Sequence, residues 1–178
     1  MRLRTDSNLR EALYDVYLSL FSAKTLSPKD FRSSRLTTSL TAVMGIENCG
    51  WRVVGITPEA LELLESVEYR KEKLPRRLCR GHLVDRAQTS RALFDRLSPL
   101  PLNEFFELFL ENDRTVIMLA EQNKHTKALP SFIQFENQDG ELFPNGSLMA
   151  WKHRKNERDF LRSLTKAKFG QPSAESAA

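Results

Sequence analysis

The segment LNEFFELFLENDRTVIMLA, residues 102–120, contains the most apolar helix and the clearest buried strand that the sequence predicts. In residues 102–110 the aromatic residues recur at helical spacing among acidic ones, so we interpret them as core rather than as a platform for stacking bases. Residues 115–120 are an apolar run of the length and composition typical of a buried strand. A helix followed by such a strand predicts a fold that mixes α and β structure.

Helix signals dominate the N-terminal part of the chain. Asp6 or Ser7 can cap a first helix whose apolar residues recur every three or four positions. Ser27 and Pro28 predict the start of a second helix, which Gly45 ends. Two helices with a short linker could form a helix-turn-helix, but their polar residues show no base-reading pattern, so we favour plain packing.

A short strand and two more helices are predicted between this region and residue 102. Residues 51–56 are rich in β-forming residues, and Thr57 with Pro58 predicts a helix directly after them. Thr89 or Ser90 is expected to cap a further short helix, whereas residues 77–84 give no clear signal.

The sequence after residue 120 predicts a hairpin and a final helix. Residues 131–135 form the first hairpin strand, and the turn at 137–140 leads to a second at 141–143. The last helix starts near Trp151 and reaches Phe169, and residues 170–178 are expected to be disordered. We therefore predict one α+β domain over residues 1–169. In it, N-terminal helices (a scaffold over 1–70) pack with a small, mainly antiparallel sheet in the second half, and a basic C-terminal helix follows.

Composition predicts a soluble protein of the cytoplasm. Hydrophobic residues make up 40% of the chain and charged residues 28%, and no apolar run reaches the roughly 18 residues that a membrane span needs. The basic N-terminus leads into an amphipathic segment, so no signal peptide is expected. Two cysteines, Cys49 and Cys79, are too few for a disulfide framework or a cysteine-rich zinc site, which favours a reducing compartment.

Charge is distributed unevenly along the chain. Residues 70–96 hold nine basic residues against three acidic ones, and residues 150–169 hold seven against two. Residues 101–123, between them, hold five acidic residues and one arginine. Two basic segments around an acidic one are typical of a surface that binds a polyanion, although solvated helix faces give the same pattern. The basic residues that we expect to hold phosphates are Lys73, Arg76, Arg77, Arg80, Arg86, Lys152, Arg154, Lys155 and Arg158.

Possible catalytic residues flank the buried strand at 115–120. His82 closes the first basic segment, Asn112 precedes the strand, and Asn123 and His125 follow it. A metal-dependent nuclease needs a base to activate water, a divalent cation, and basic residues that hold the flanking backbone. Convergence of these separated segments would satisfy that requirement.

Two stretches here resemble the HNH (ββα-metal) nuclease family: residues 82–86, His-Leu-Val-Asp-Arg, and the run from Asn112 through the strand to Asn123-Lys124-His125. The resemblance covers residues 77–127. It implies an endonuclease, for which we favour DNA over RNA as the substrate, with His82 as general base and Asn112 orienting the loop that carries it. It also implies that Asn123 or His125, with Asp85 as a substitute ligand, binds Mg²⁺ or another divalent cation.

Other interpretations stay open. His82 can be an ordinary histidine in a basic loop, and Asn123 and His125 can serve capping and hydrogen bonding. Arg77 and His82 show the Arg-x4-His spacing of the metal-independent HEPN ribonucleases, which are all-helical. Cys79 and His82 make half of a metal site without a second pair. The competing class is a non-catalytic subunit that binds nucleic acid or assembles with itself or another protein, through the same basic segments.

Overall fold

The computed structural model describes residue 3 and residues 5–44, 52–70, 77–124, 128–136 and 155–170. These ranges contain six helices and four strands, which confirms the α+β class. In chain order they are α1 Ser7–Leu26, α2 Ser33–Met44, β1 Arg52–Ile56, α3 Pro58–Ser66, β2 Leu78–His82, α4 Arg86–Phe94, α5 Leu102–Asn112, β3 Arg114–Leu119, β4 Ile133–Gln134 and α6 Lys155–Phe169.

The four strands form one mixed sheet in the order β2-β3-β1-β4. The central strands β3 and β1 are parallel, whereas β2 and β4 at the edges pair antiparallel with their neighbours. Although β1 lies among the N-terminal helices in sequence, it is a central strand. Its position follows from its residues, since Val53 and Ile56 pack on one side of the sheet and Val54 on the other.

Helices α1, α2, α4 and α5 surround an aromatic core. Tyr17 is completely buried there and stacks on Phe105 with 4.3 Å between ring centroids. Phe106 and Phe109 are each 1% exposed. The interpretation of the aromatic residues in 102–110 as core is therefore confirmed.

Helices α3 and α6 contribute to a second core on one face of the sheet. Leu61 and Leu64 of α3 and Leu161 of α6 join Leu78 and Ile117 of the strands there. Val116 and Met118 of β3 point to the opposite face. The described helices include none that is long and apolar enough to cross a membrane.

Helix starts show where local signals succeed and where they fail. Asp6 caps α1 and Thr57 caps α3, as predicted. The predicted start of α2 at Pro28 is wrong, because Ser27 ends α1 by donating its N–H to the carbonyl of Ala23. The predicted cap of α4 at Thr89 or Ser90 is also wrong: the helix starts four residues earlier.

Residues 77–84, which give no clear sequence signal, contribute the edge strand β2. Residues 131–135 contain the short strand β4. The turn at 137–140, the strand at 141–143, residues 151–154 and the tail from 171 lie outside the described residues.

Candidate functional site

His82 and Asp113 approach each other at one end of the antiparallel pair β2 and β3. His82 is the last residue of β2 and pairs with Thr115, while Asp113 ends α5. The imidazole Nε2 lies 3.8 Å from Asp113 Oδ1, and the two side chains are 12% and 9% exposed. At 3.8 Å the two groups are in ion-pair range but beyond the usual length of a hydrogen bond.

Sequence reasoning selected Asn112 and missed its neighbour Asp113. Asn112 is the last residue of α5 and is half-buried. Because α5 continues two residues beyond the predicted 110, Asp113 becomes its C-terminal cap and turns toward β2. Asp113 could have been identified from the pairing of His82 with Thr115, which is two residues further along the chain. That pairing can be predicted only if residues 78–82 are known to form a strand.

Arg80 projects from the same face of β2 as His82, because side chains alternate along a strand. It is 6% exposed and lies in the field of Glu157, a 1% exposed residue in the first turn of α6. Burial lowers the pKa of the Arg80 guanidinium, and the attraction of Glu157 partly offsets that effect. Arg80 was predicted to hold phosphate, but its burial leaves little of the side chain accessible to a ligand.

Asn123 lies on the opposite face of the sheet from His82. A Cβ built on Gly81 would meet Asn123 Oδ1 at 3.0 Å and the Met118 side chain at 2.6 Å, and Met118 belongs to the face opposite Ile117. Asn123 also forms a hydrogen bond with the Cys79 thiol, whose pKa is raised by burial and lowered in part by this bond. The structure therefore does not bring His82 and Asn123 to one metal-sized gap.

The remaining predicted metal ligands do not complete a site in the described part of the chain. Asp85 caps α4, its Oδ1 accepting a hydrogen bond of 2.8 Å from the amide of Ala87. His125 lies outside the described residues. The described residues contain no group of three or more His, Cys, Asp or Glu side chains placed to hold a metal ion. Because His125 lies outside these residues, the Mg²⁺ site that the HNH resemblance implies stays a prediction.

Arg77 and His82, the two residues of the HEPN-like pattern, do not lie on a helix. The two residues bracket the extended strand β2, so their backbones are about 16 Å apart at the usual rise per residue. Arg77 is exposed and forms an ion pair with Glu121. A strand in this position does not provide the helical frame that the HEPN interpretation requires.

Several other predicted phosphate-binding residues have defined positions. The Arg86 guanidinium lies 3.4 Å from Thr38 Oγ1, and Lys155 begins α6. Lys73, Arg76, Lys152 and Arg154 lie outside the described residues. Arg158 lines a cleft that the sequence did not predict.

This cleft, called the arginine cleft below, separates the end of α3 from α6 and has a volume of about 460 Å³. Tyr69 forms its floor, with 4% exposure and a hydroxyl 2.6 Å from Thr165 Oγ1. The residues that line the arginine cleft are Glu65, Glu68, Tyr69, Arg70, Arg158 and Arg162. Sequence patterns could not reveal it because its two walls come from distant parts of the chain.

Comparison of the chain with protein-family models, with curated proteins and with solved structures found no match.

Proposed function

We propose that the protein binds nucleic acid and that α6 supplies the phosphate contacts. The observation that carries this proposal is the spacing of Arg158, Arg162 and Lys166, which recur every four residues along one side of α6. Arg162 and Lys166 are exposed, and Arg158 is half-buried beside Arg70 in the arginine cleft. A row of cations at this spacing matches a backbone of regularly spaced phosphates.

The attachment of α6 to the sheet supports this role. Leu161 is completely buried in the second core and Thr165 bonds to Tyr69, so the helix is held against the sheet. Glu157 is also buried and attracts the Arg80 guanidinium. Fixed side chains lose less conformational entropy when they bind phosphate than mobile ones do. Asp159 lies 3.4 Å from Arg162, which limits the positive charge at that point. We therefore expect moderate, salt-dependent affinity without strong base preference.

The test is fluorescence anisotropy of labelled single- and double-stranded DNA and RNA over a range of salt concentrations. We expect Arg162→Gln with Lys166→Gln to reduce the slope of log affinity against log salt by about two and to weaken every sequence alike. The matched control is Lys29→Gln with Arg35→Gln, which removes the same charge from exposed positions on the helical core. An equal effect of both double variants, or no effect of the first, would contradict the proposal.

Hydrolysis of the bound strand is a second candidate function, favoured by the approach of His82 to Asp113. In this reaction His82 accepts a proton from the attacking water as the water oxygen bonds to phosphorus. The P–O bond to one sugar oxygen breaks, and that oxygen leaves after taking up a proton from solvent. Asp113 is the acidic neighbour of the imidazole. The imidazole is only 12% exposed, so a substrate must reach it through its exposed edge. This proposal leaves the metal open, because the described residues do not assemble a metal site.

Cleavage of labelled DNA and RNA, measured in Mg²⁺, in Mn²⁺ and in EDTA, tests this second candidate. We expect His82→Gln to slow cleavage by about 100-fold or more and Asp113→Asn to slow it as well, with binding and thermal stability retained. Intact substrate under all three conditions, or cleavage by His82→Gln at the wild-type rate, would reject hydrolysis and leave the binding proposal standing.

A further inference from the structure

The arginine cleft has the charge of an anion site. Arg158 and Arg162 on α6 face a wall that holds Glu65, Glu68 and Arg70, so three arginines and two glutamates line it, and Glu68 forms an ion pair with Arg70. Glu68 and Tyr69 both adopt left-handed backbone conformations, with φ of 54° and 55°, and are the non-glycine residues with positive φ in the described chain. Such conformations are strained for residues with a Cβ. The strained turn places Tyr69 under α6 and Arg70 at the cleft.

One donor in the arginine cleft lacks an acceptor. Arg158 Nε is shielded from solvent and has no hydrogen-bond partner within the described ranges. A buried donor is costly to leave unpaired, and native proteins rarely do so without a reason. Arg158 also lines the arginine cleft, where the accessible part of its guanidinium can meet an oxygen-rich anion, and guanidinium groups match the oxygens of phosphate well. Movement of the side chain toward that anion would also give Nε an acceptor.

The floor of the cleft favours a phosphate over a base. Tyr69 is buried, and the guanidinium of Arg162 lies over its ring at 5.8 Å from the centroid. The ring therefore offers no open face on which a base could stack. A terminal phosphate presents three free oxygens and a charge of about −1.5 to −2 at neutral pH, more than a phosphate within a strand.

We infer that the arginine cleft binds the phosphate monoester of a nucleotide, with Arg158 as its central donor and Arg70 and Arg162 beside it. The ligand is the phosphorylated end of a nucleic-acid strand or a free nucleotide, and the strand-end form rests on the proposed function. A volume of about 460 Å³ accommodates such an end but does not let a duplex pass through.

The experiment compares one single-stranded oligonucleotide bearing a 5′-phosphate, a 3′-phosphate or free hydroxyls at both ends, together with AMP and a phosphoserine peptide. We expect one phosphorylated end to improve affinity about tenfold, which corresponds to about 1.4 kcal/mol. Arg158→Gln should remove this preference. Lys166→Gln, on the same helix but outside the cleft lining, should weaken all oligonucleotides and keep their ratio.

The possible outcomes separate the inference about the arginine cleft from the proposed binding of nucleic acid. Equal affinity for all oligonucleotides, with no binding of AMP, would overturn the cleft inference and leave nucleic-acid binding intact. Binding of AMP that Arg158→Gln abolishes, without oligonucleotide binding, would support the cleft for a free nucleotide and reject the proposed function. Tighter binding of the phosphoserine peptide than of any nucleotide ligand would overturn the inference.

Discussion

At the centre of the helical core, the hydroxyl of Tyr17 connects two backbone segments. It donates a hydrogen bond of 2.9 Å to the carbonyl of Leu93 and accepts one of 3.0 Å from the amide of Leu100. Burial raises the pKa of this hydroxyl, so it stays protonated at neutral pH. We predict that Tyr17→Phe lowers the free energy of unfolding by about 1 to 3 kcal/mol, because the buried amide of Leu100 loses its acceptor.

Urea unfolding followed by circular dichroism measures this effect, and Tyr14→Phe is the matched control. Tyr14 is only partly buried and donates to the carbonyl of Leu100, so water can replace its hydroxyl more easily. Equal losses in the two variants would show that burial of the Tyr17 hydroxyl is not the cause.

Individual residues differ in how far the sequence reveals their role. Phe105 and Phe106 were predicted as core because helical spacing alone places them on one side of α5. Asp113 was not identified as a member of a site, because its partner His82 is distant along the chain. Arg158 was predicted to hold phosphate, but the cleft that it shares with Arg70 was not. A residue whose role depends on such a partner carries no local signal.

Among the elements, three helix ends meet at Asp95. Ser33 Oγ at the start of α2 donates to Asp95 Oδ1 at 2.6 Å, and Lys24 Nζ near the end of α1 lies 3.0 Å from the same oxygen. The hydrogen bond from Ser33, followed by the contact with Lys24, lowers the pKa of Asp95. A lowered pKa in the folded protein means that the ionised carboxylate stabilises the fold.

We predict that Asp95→Asn lowers stability at neutral pH by less than about 1 kcal/mol, because the Asp95 side chain is 43% exposed. The wild-type advantage is fully present above the unfolded pKa of about 3.9 and is lost as the pH falls through the lower folded value. Thermal unfolding from pH 3 to pH 7 measures both proteins. A difference that stays constant over this range would contradict the assignment.

Two glycines in the strands differ in what surrounds them. A Cβ on Gly55 of β1 would lie 2.7 Å from the backbone oxygen of Ile133 and 2.5 Å from the Phe132 ring, whereas one on Gly81 of β2 would meet the flexible end of Met118. We predict that Gly55→Ala costs about 2 to 3 kcal/mol by forcing β4 away from β1, and that Gly81→Ala costs less. Chemical denaturation of both variants provides the comparison. A larger loss of stability for Gly81→Ala than for Gly55→Ala would contradict this prediction and would show that β4 moves away from β1 at little cost.

Elements were predicted best where their signals are local. The caps of α1 and α3 depend on residues within one turn of the helix. The start of α4 was misplaced because Thr89 and Ser90 have the side chains of a cap although they lie inside the helix that Asp85 begins. The order of the strands could not be derived, since it depends on which strands have apolar residues on both faces.

For the whole molecule, the attachment of α6 to the sheet decides whether the proposed binding surface exists. Glu157, in the first turn of this helix, and Arg80, on the edge strand, are buried opposite charges that attract each other. Removal of one of two such charges leaves the other without compensation, whereas removal of both can be nearly neutral. We therefore predict that Glu157→Gln lowers stability by about 3 to 5 kcal/mol and that Arg80→Met with Glu157→Leu restores most of the loss.

Measuring stability and nucleic-acid affinity in the same variants shows whether binding depends on the attachment of α6 to the sheet. In Glu157→Gln we expect limited proteolysis to cleave at α6 first and nucleic-acid affinity to fall in parallel, although no residue of the row Arg158, Arg162 and Lys166 is changed. The double variant should regain both properties, because it removes both buried charges together and leaves neither without compensation. If it regains stability but not affinity, Glu157 or Arg80 acts on the ligand directly. If Glu157→Gln unfolds like the wild type, the buried pair does not hold α6.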